Sequence, residues 1–322
     1  MRRIGPVVMG LMLAVLAQPV PAQNYPAKPV RLIIAFSPGA AVDTVSRTLG
    51  AGLSAALGQP VIMENKPGAA GIVGNDFVAK ATPDGYTLLA GTSAPFAIVP
   101  HLSAKLPYDP VRDFTAVAPF ARSASVLVIN AALPVTNLKE FIAYARERPG
   151  QLNYASNGNG GILHMGMEMF CTMAGLRMTH VPYNNLVFGL QQVASGELQA
   201  MFISPTNAMP LVQAGRLRAL GIATSHRSEL VPQIPTLDEE GLKGLNFSVW
   251  FGLFAPPGTP RPIVNTLNAA VNASLQQPEI LDRLKKSAAE RFPGSPEELA
   301  SLVQSELEMY GKVAREIGLQ KQ

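Results

Sequence analysis

Two stretches of this chain place small residues where backbone could receive an anion. Residues 36–43 read FSPGAAVD and residues 155–164 read ASNGNGGILH; each follows an apolar run and precedes a helical pattern. Small side chains let a ligand approach the main chain, and N–H groups in a helix's first turn favour negative charge. Neither stretch contains Lys or Arg, so a bound anion would be met by backbone N–H groups, hydroxyls, amides and His164. Asp43 could touch a ligand donor. A carboxylate near a helix start is also stabilised by about 0.3–1 kcal/mol and can simply organise its loop. His164, one turn into its helix, could donate to a ligand oxygen or pack.

Other chemistries find little support. Leu163 occupies the last position that a G-x-G-x-x-G loop gives to glycine, and no Gly-Lys-Ser/Thr follows. A G-x-S-x-G nucleophile elbow is lacking, and His101, His164, His180 and His226 do not have metal-ligand spacing. The single cysteine, Cys171, sits among Met165, Met169 and Met173 and reads as a buried thiol in a methionine-filled core. No catalytic residue, metal or cofactor is expected.

The elements that would hold the two stretches alternate. Residues 30–36 are a continuous apolar run, the mark of a strand covered on both faces. Val42, Val45, Leu49 and Leu53 then form a helical stripe stopped by Gly58. Strands are expected at 61–64 and 86–90, with a helix carrying Val73, Phe77 and Val78 between them. A second series starts near Ser125, with strands at 126–130, 152–156, 177–181, 198–203 and 217–224. Asn137 and Glu140 mark one helix start in it. Residues 247–255, with the lone Trp250 as a packing residue, form a last strand; the remainder is helical, opened at its end by Pro296, Glu297 and Glu298. The alternation predicts an α/β chain with parallel sheets, in two lobes if runs 126–130 and 247–255 pair as crossing strands.

The N-terminus carries an address. Arg2 and Arg3 precede an apolar run over residues 7–17, and residues 20–22 (VPA) suit a signal peptidase, predicting cleavage after Ala22. Eleven apolar residues are too few to span a bilayer, so soluble export to the periplasm is expected. The remaining chain has 24 basic and 22 acidic residues, and no Lys/Arg run exceeds two. That pattern excludes a phosphate-binding stripe for nucleic acid. One cysteine cannot close an intrachain disulfide, so roughly 300 residues must rest on their core, about two domains' worth.

Many segments, taken in order, resemble the substrate-binding proteins of tripartite tricarboxylate transporters, also called Bug receptors. They include PAKPVRLIIAFSPGAAVDTVSR, ALGQPVIMENKPGAAG, ATPDGYTLLAGTS, GQLNYASNGNG, THVPY, AGRLRALGIATSHRSELVPQIPTLDEEGL and WFGLFAPPGTP. The resemblance implies a type II periplasmic binding protein fold, two doubly wound lobes joined by crossing strands. Residues 23–124 with 251–322 would form lobe 1, and residues 125–250 lobe 2. It implies a small carboxylate, aromatic or dicarboxylic, held by Phe36, Ser37, Gly39, Ala40, Ala41 and Asp43 from one side. Ser156, Asn157, Gly158, Gly160, Gly161 and His164 would hold it from the other, with Thr92, Ser93, Ser204 and Thr206 as further contacts. A monomer serving membrane transporter subunits is implied; a ligand-loaded partner of a sensor is the alternative role.

Three departures from the family's usual pattern bear on the ligand. Ala40-Ala41 replace Gly-Gly, and Asn184-Asn185 stand where Lys-Gly is frequent. Residues 203–206 (ISPT) replace a stretch often carrying an acid, which argues against an amino-acid ligand. Phe36, Phe202 and Phe251 lean toward an apolar or aromatic carboxylate.

Overall fold

Valine and isoleucine at alternate and adjacent positions make residues 30–34 a strand whose two faces are both covered. The computed structural model describes residues 25–183, 185–319 and 321. The expected signal segment 1–22 and Asn184 lie outside them. Leu32 and Ile34 pack with Val45 and Leu49, whereas Ile33 and Ala35 pack with Val78, Phe96 and Trp250. The chain runs β1 (Val30–Ile34), α1 (Ala41–Leu57), β2 (Val61–Asn65), α2 (Ile72–Ala79), β3 (Thr87–Thr92), α3 (Val99–Leu102) and β4 (Thr115–Ala124). It continues with β5 (Val126–Asn130), α4 (Leu138–Arg146), β6 (Asn153–Ser156), α5 (Ile162–Ala174), β7 (Thr179–Pro182) and α6 (Leu186–Ser195). Next come β8 (Ala200–Ile203), α7 (Pro205–Gln213), β9 (Leu217–Ile222) and β10 (Ser248–Ala255). Helices α8 (Arg261–Ser274) and α9 (Pro278–Lys286), strand β11 (Glu290–Arg291) and helix α10 (Pro296–Glu316) end it.

Two sheets result, ordered β11-β4-β10-β3-β1-β2 and β7-β6-β8-β5-β9. The expectation of parallel sheets holds only in part. Strand β1 is parallel to β2 and β3, and β6 to β7 and β8, but β10 is antiparallel to β3 and β4, and β5 to β8 and β9. Nor do runs 126–130 and 247–255 pair with each other. Strand β10 pairs with β4, from Ser248 opposite Ala124 to Ala255 opposite Thr115. The physical reason is economy of chain: only Ser125 separates β4 in the first sheet from β5 in the second. Backbone bonds tie this crossing to the returning chain, Ala223 N–H to Ser125 and Phe247 N–H to Ala223, each at 3.0 Å. Strand β4 went unforeseen because Pro119 lies inside it, and proline ordinarily demotes a strand. The structure accommodates Pro119 at a register shift against β10, with β11 pairing only at Arg122 and Ala121.

Helix α10 runs from the first sheet, where it packs on β4, to helix α5 beside the second. A Ser295–Glu298 capping box starts it, as Pro296 and the acids suggested. Its first half, Leu299 and Val303, packs with Trp250 and Phe254; its second half, Tyr310, Val313 and Ala314, packs with Phe170 and Phe247. Between them Glu306, 6% exposed, accepts a 2.6 Å hydrogen bond from the Trp250 indole. Burial pushes the Glu306 carboxyl up to about 8, against the smaller opposing effect of the indole.

Packing under the first anion loop is tight enough to test. A Cβ on Gly74 of α2 would lie 2.7 Å from the Ala35 Cα and 3.0 Å from the Lys66 carbonyl oxygen, both backbone atoms. Gly74→Ala should therefore destabilise the fold by about 1–3 kcal/mol, the usual range for overpacking. Chemical denaturation reads this directly; an unchanged midpoint would mean that α2 shifts freely.

Candidate functional site

The first loop leaves β1 and is buttressed by Asp43. This side chain is 3% exposed and accepts from Gly39 N–H at 2.9 Å, Asn65 Nδ2 at 2.8 Å and Arg47 Nε at 2.9 and 3.0 Å. Asn65 also donates to the Phe36 carbonyl, and Arg47 Nη2 donates to Asn65 Oδ1. Burial alone would raise the Asp43 pKa, but the bonds from Arg47, Asn65 and Gly39 outweigh it and hold the carboxyl below its ordinary range. Arg47 therefore turns back onto Asp43 and cancels its charge. Gly39 has φ +83°, open to glycine at little cost. Ala40 is the N-cap residue, at φ −63° and ψ 156°, so the alanines fit without strain. The Ala40 N–H donates to the Ser37 carbonyl at 3.2 Å. The N–H groups of Ala41, Val42 and Asp43 have no partner among the described residues, as a helix start requires of its first turn.

The second loop leaves β6 and is self-bonded. Ser156 is fully buried, with Oγ 2.5 Å from His180 Nε2 and within 3.3 Å of both Gly158 N and O. Asn157 Oδ1 accepts from Leu163 N–H, Gly161 N–H donates to Gly158, and Gly160 N–H donates to His164 Nδ1 at 3.0 Å. Gly158 and Gly160 sit at φ +103° and +70°. The N–H groups of Asn157, Asn159 and Ile162 have no partner among the described residues. His164 is 6% exposed, so its loop-side nitrogen serves the loop itself. Cys171 is buried in α5, and burial raises its thiol pKa.

The remaining predicted contacts sit at matching strand ends. Thr92, buried at the end of β3, donates to the Trp250 carbonyl at 2.9 Å. Ser93 is 1% exposed and its hydroxyl has no partner among the described residues; it stands at the position before a π-helical turn, Ala94–Ile98. Such turns are frequent at functional sites. Ser204 occupies the N-cap position of α7 at the end of β8, its hydroxyl 3.2 Å from that of the exposed Thr206. Because β1 runs parallel to β3, and β6 to β8, all these residues lie at carboxyl ends of parallel strands. That is where open α/β sheets bind ligands. Phe36 abuts Gly71 and Pro95 lies against the same glycine, while Leu102 abuts Gly160; segment 93–102 thus touches both loops' surroundings.

Sequence reasoning missed Asn65, Arg47 and His180 as members of the site. Asn65 is 22 residues from Asp43 and His180 is 24 from Ser156. Strand pairing brings them together, β2 beside β1 and β7 beside β6, so local spacing carried no signal.

Two α/β sheets, joined by a strand pair and each presenting a strand–loop–helix start at its carboxyl edge, define a type II periplasmic binding protein fold. The chain belongs to the tripartite tricarboxylate transporter receptor family, whose profile matches residues 45–319. It is 36% identical over 322 residues to a UPF0065 protein of Bordetella pertussis, covering 100% of this chain and 98% of that one. Among solved structures, Rpa4515 of R. palustris with adipate is 34% identical with a TM-score of 0.72, covering 92% of this chain and all of that one. MatC of Rhodopseudomonas palustris with bound malate is 35% identical with a TM-score of 0.68, covering 90% and 99%. Among the described residues, no helix is long and apolar enough to cross a membrane, and no group of metal-ligating side chains gathers.

Proposed function

We propose that this chain is a periplasmic receptor that captures a small carboxylate, dicarboxylic or aromatic, and delivers it to the membrane subunits of a tripartite transporter. Lobe 1 is residues 23–124 with 251–322, lobe 2 is residues 125–250, and the ligand sits between them. The observation that carries this reading is the pair of helix starts, α1 and α5, with free N–H groups at the carboxyl ends of β1 and β6. Adipate and malate in the two related structures support the ligand class. The carboxylate contacts are Phe36, Ser37, Gly39, Ala40 and Ala41 with Thr92 and Ser93 on one side, where Asp43 organises the loop. Asn157, Gly158, Gly160 and Gly161, with Ser204 and Thr206, form the other, which Ser156 and His164 hold in shape from beneath. The receptor performs no chemistry: its Ser156–His180 pair is sealed from solvent at the serine.

The test is a thermal-shift screen of residues 23–322 against adipate, malate, citrate and benzoate. A ligand at 100 times its Kd stabilises by about 2.7 kcal/mol. The critical variant is Ala41→Pro. Proline suits the first helical position, and the extended Ala40 before it tolerates a following proline. The change removes one free N–H without disturbing the helix. Hydrogen bonds to charge are worth about 1.5–3 kcal/mol, so affinity should fall roughly tenfold to a hundredfold at unchanged stability. A screen in which no acid stabilises the protein, or normal binding by A41P, would sink the reading.

A further inference from the structure

Two imidazoles lie face to face beneath the second loop. The ring centroids of His164 and His180 are 3.9 Å apart with planes 17° from parallel, and Tyr154 continues the stack 5.0 Å from His180. Each imidazole ends on the loop. Gly160 N–H donates to His164 Nδ1 at 3.0 Å, and His180 Nε2 lies 2.5 Å from Ser156 Oγ. Accepting at Nδ1 assigns His164 the neutral tautomer with its proton on Nε2, which faces Glu168 Oε1 at 3.8 Å. The same carboxylate accepts from the Tyr154 hydroxyl.

We propose that His164 and His180 are positioning residues of the anion site: a stacked, neutral pair that locks residues 156–161 in their receptive shape. The role in carboxylate capture rests on the reading above. The loop needs such a lock because Gly158 and Gly160, both at positive φ, have more conformations to lose than any other residue type. With the lock in place, the Asn157, Asn159 and Ile162 N–H groups stay turned away from internal partners and available to a ligand. The groups facing the pair are Glu168, Tyr154 and Ser156, with the Cys171 thiol behind Glu168 and Tyr154. Burial, then the neighbouring His180, pushes His164 down to about 4, and burial also lowers His180. Both rings therefore stay neutral at pH 7. Protonated His164 has no lone pair for Gly160, so the lock fails as pH falls toward 4.

Three variants test this: His164→Phe keeps a stacking ring without an acceptor, His164→Asn restores an acceptor, and His180→Phe frees Ser156. The readouts are hydrogen exchange of peptides covering residues 156–161 and calorimetric affinity for the tightest binder among adipate, malate, citrate and benzoate. H164F should speed loop exchange and weaken binding, each about tenfold, the result of one unpaired donor. H180F should do the same, and H164N should recover most of both. Wild-type affinity should decline more steeply between pH 5.5 and 4 than that of H164N, which shares only the loss due to protonation of the ligand's own carboxylates. Unchanged exchange and affinity in H164F, or an H164N as impaired as H164F, would overturn the proposal. A wild-type protein that binds none of the four acids, with loop exchange still responding to H164F, would uphold the lock and strike out the carboxylate reading.

Discussion

Glu306→Gln is expected to make this protein more stable, by an amount that grows with pH. The folded-state carboxyl sits at about 8, well above its ordinary 4.5. A raised acid contributes stability that is fully present below pH 4.5 and is lost progressively as pH rises to 8. At 1.36 kcal/mol per unit, holding the Glu306 proton costs the native state about 3 kcal/mol at pH 7, and burying the ionised carboxylate costs about 5 kcal/mol above pH 8. Glutamine has no such charge, and its carbonyl can still accept from the Trp250 indole. The Tyr310 hydroxyl, buried and without a partner among the described residues, is near enough to feel the Glu306 charge. It offers the new amide a neighbour. Denaturation midpoints of the two proteins should coincide near pH 4.5, separate steadily up to about pH 8 and stay apart by a constant amount above it. Parallel curves throughout would mean that Glu306 carries no penalty when ionised.

Asp43→Ala is expected to damage both fold and binding. The carboxylate gathers Gly39, Asn65 and Arg47, and removing it leaves the Gly39 N–H without its acceptor and Asn65 without one of its two. Hydrogen bonds to charged groups contribute about 1.5–3 kcal/mol each, and the half-exposed Arg47 must be discounted for solvent. A net loss of about 3 kcal/mol in unfolding free energy follows. Ligand affinity should fall by roughly a hundredfold or more, because the turn that aims Ala41 and Val42 loses its buttress. Asp43→Asn keeps shape without charge and should lose less. The depressed Asp43 pKa also carries a sign: its stabilisation is present above pH 3.8 and disappears as pH falls below that value. D43A should therefore lose this acid-limb dependence. Wild-type affinity in D43A would show that the loop shape is set elsewhere.

What could be read from the chain before folding was what local chemistry determines. Strand β5 matches the sequence expectation residue for residue, because an apolar run defines it, and helix α5 follows its loop as expected, bounded by Gly161 and Gly175. Both anion loops were recognisable from their small residues. Which of their N–H groups remain free was not. Ala40 N–H appeared available, yet Ser37 claims it, and the free donors begin one residue later. Strand β4 was hidden by Pro119, and helix α9 was not singled out from the helical C-terminal region. Asp43's two readings, contact or organiser, resolve toward organiser because Asn65 arrives from the neighbouring strand. His164's resolve similarly, through His180 on β7.

Helix α10 has a mechanical consequence. At 1.5 Å per residue its 21 residues make a rod of roughly 30 Å, seated on the first sheet by Leu299 and Val303 and beside helix α5, which covers the second, by Tyr310 and Val313. Two bodies joined only by threads at Ser125 and Phe247 could swing and twist in any direction. A stiff helix seated on both couples them, so that any swing of one against the other must bend α10 or unseat one of its ends.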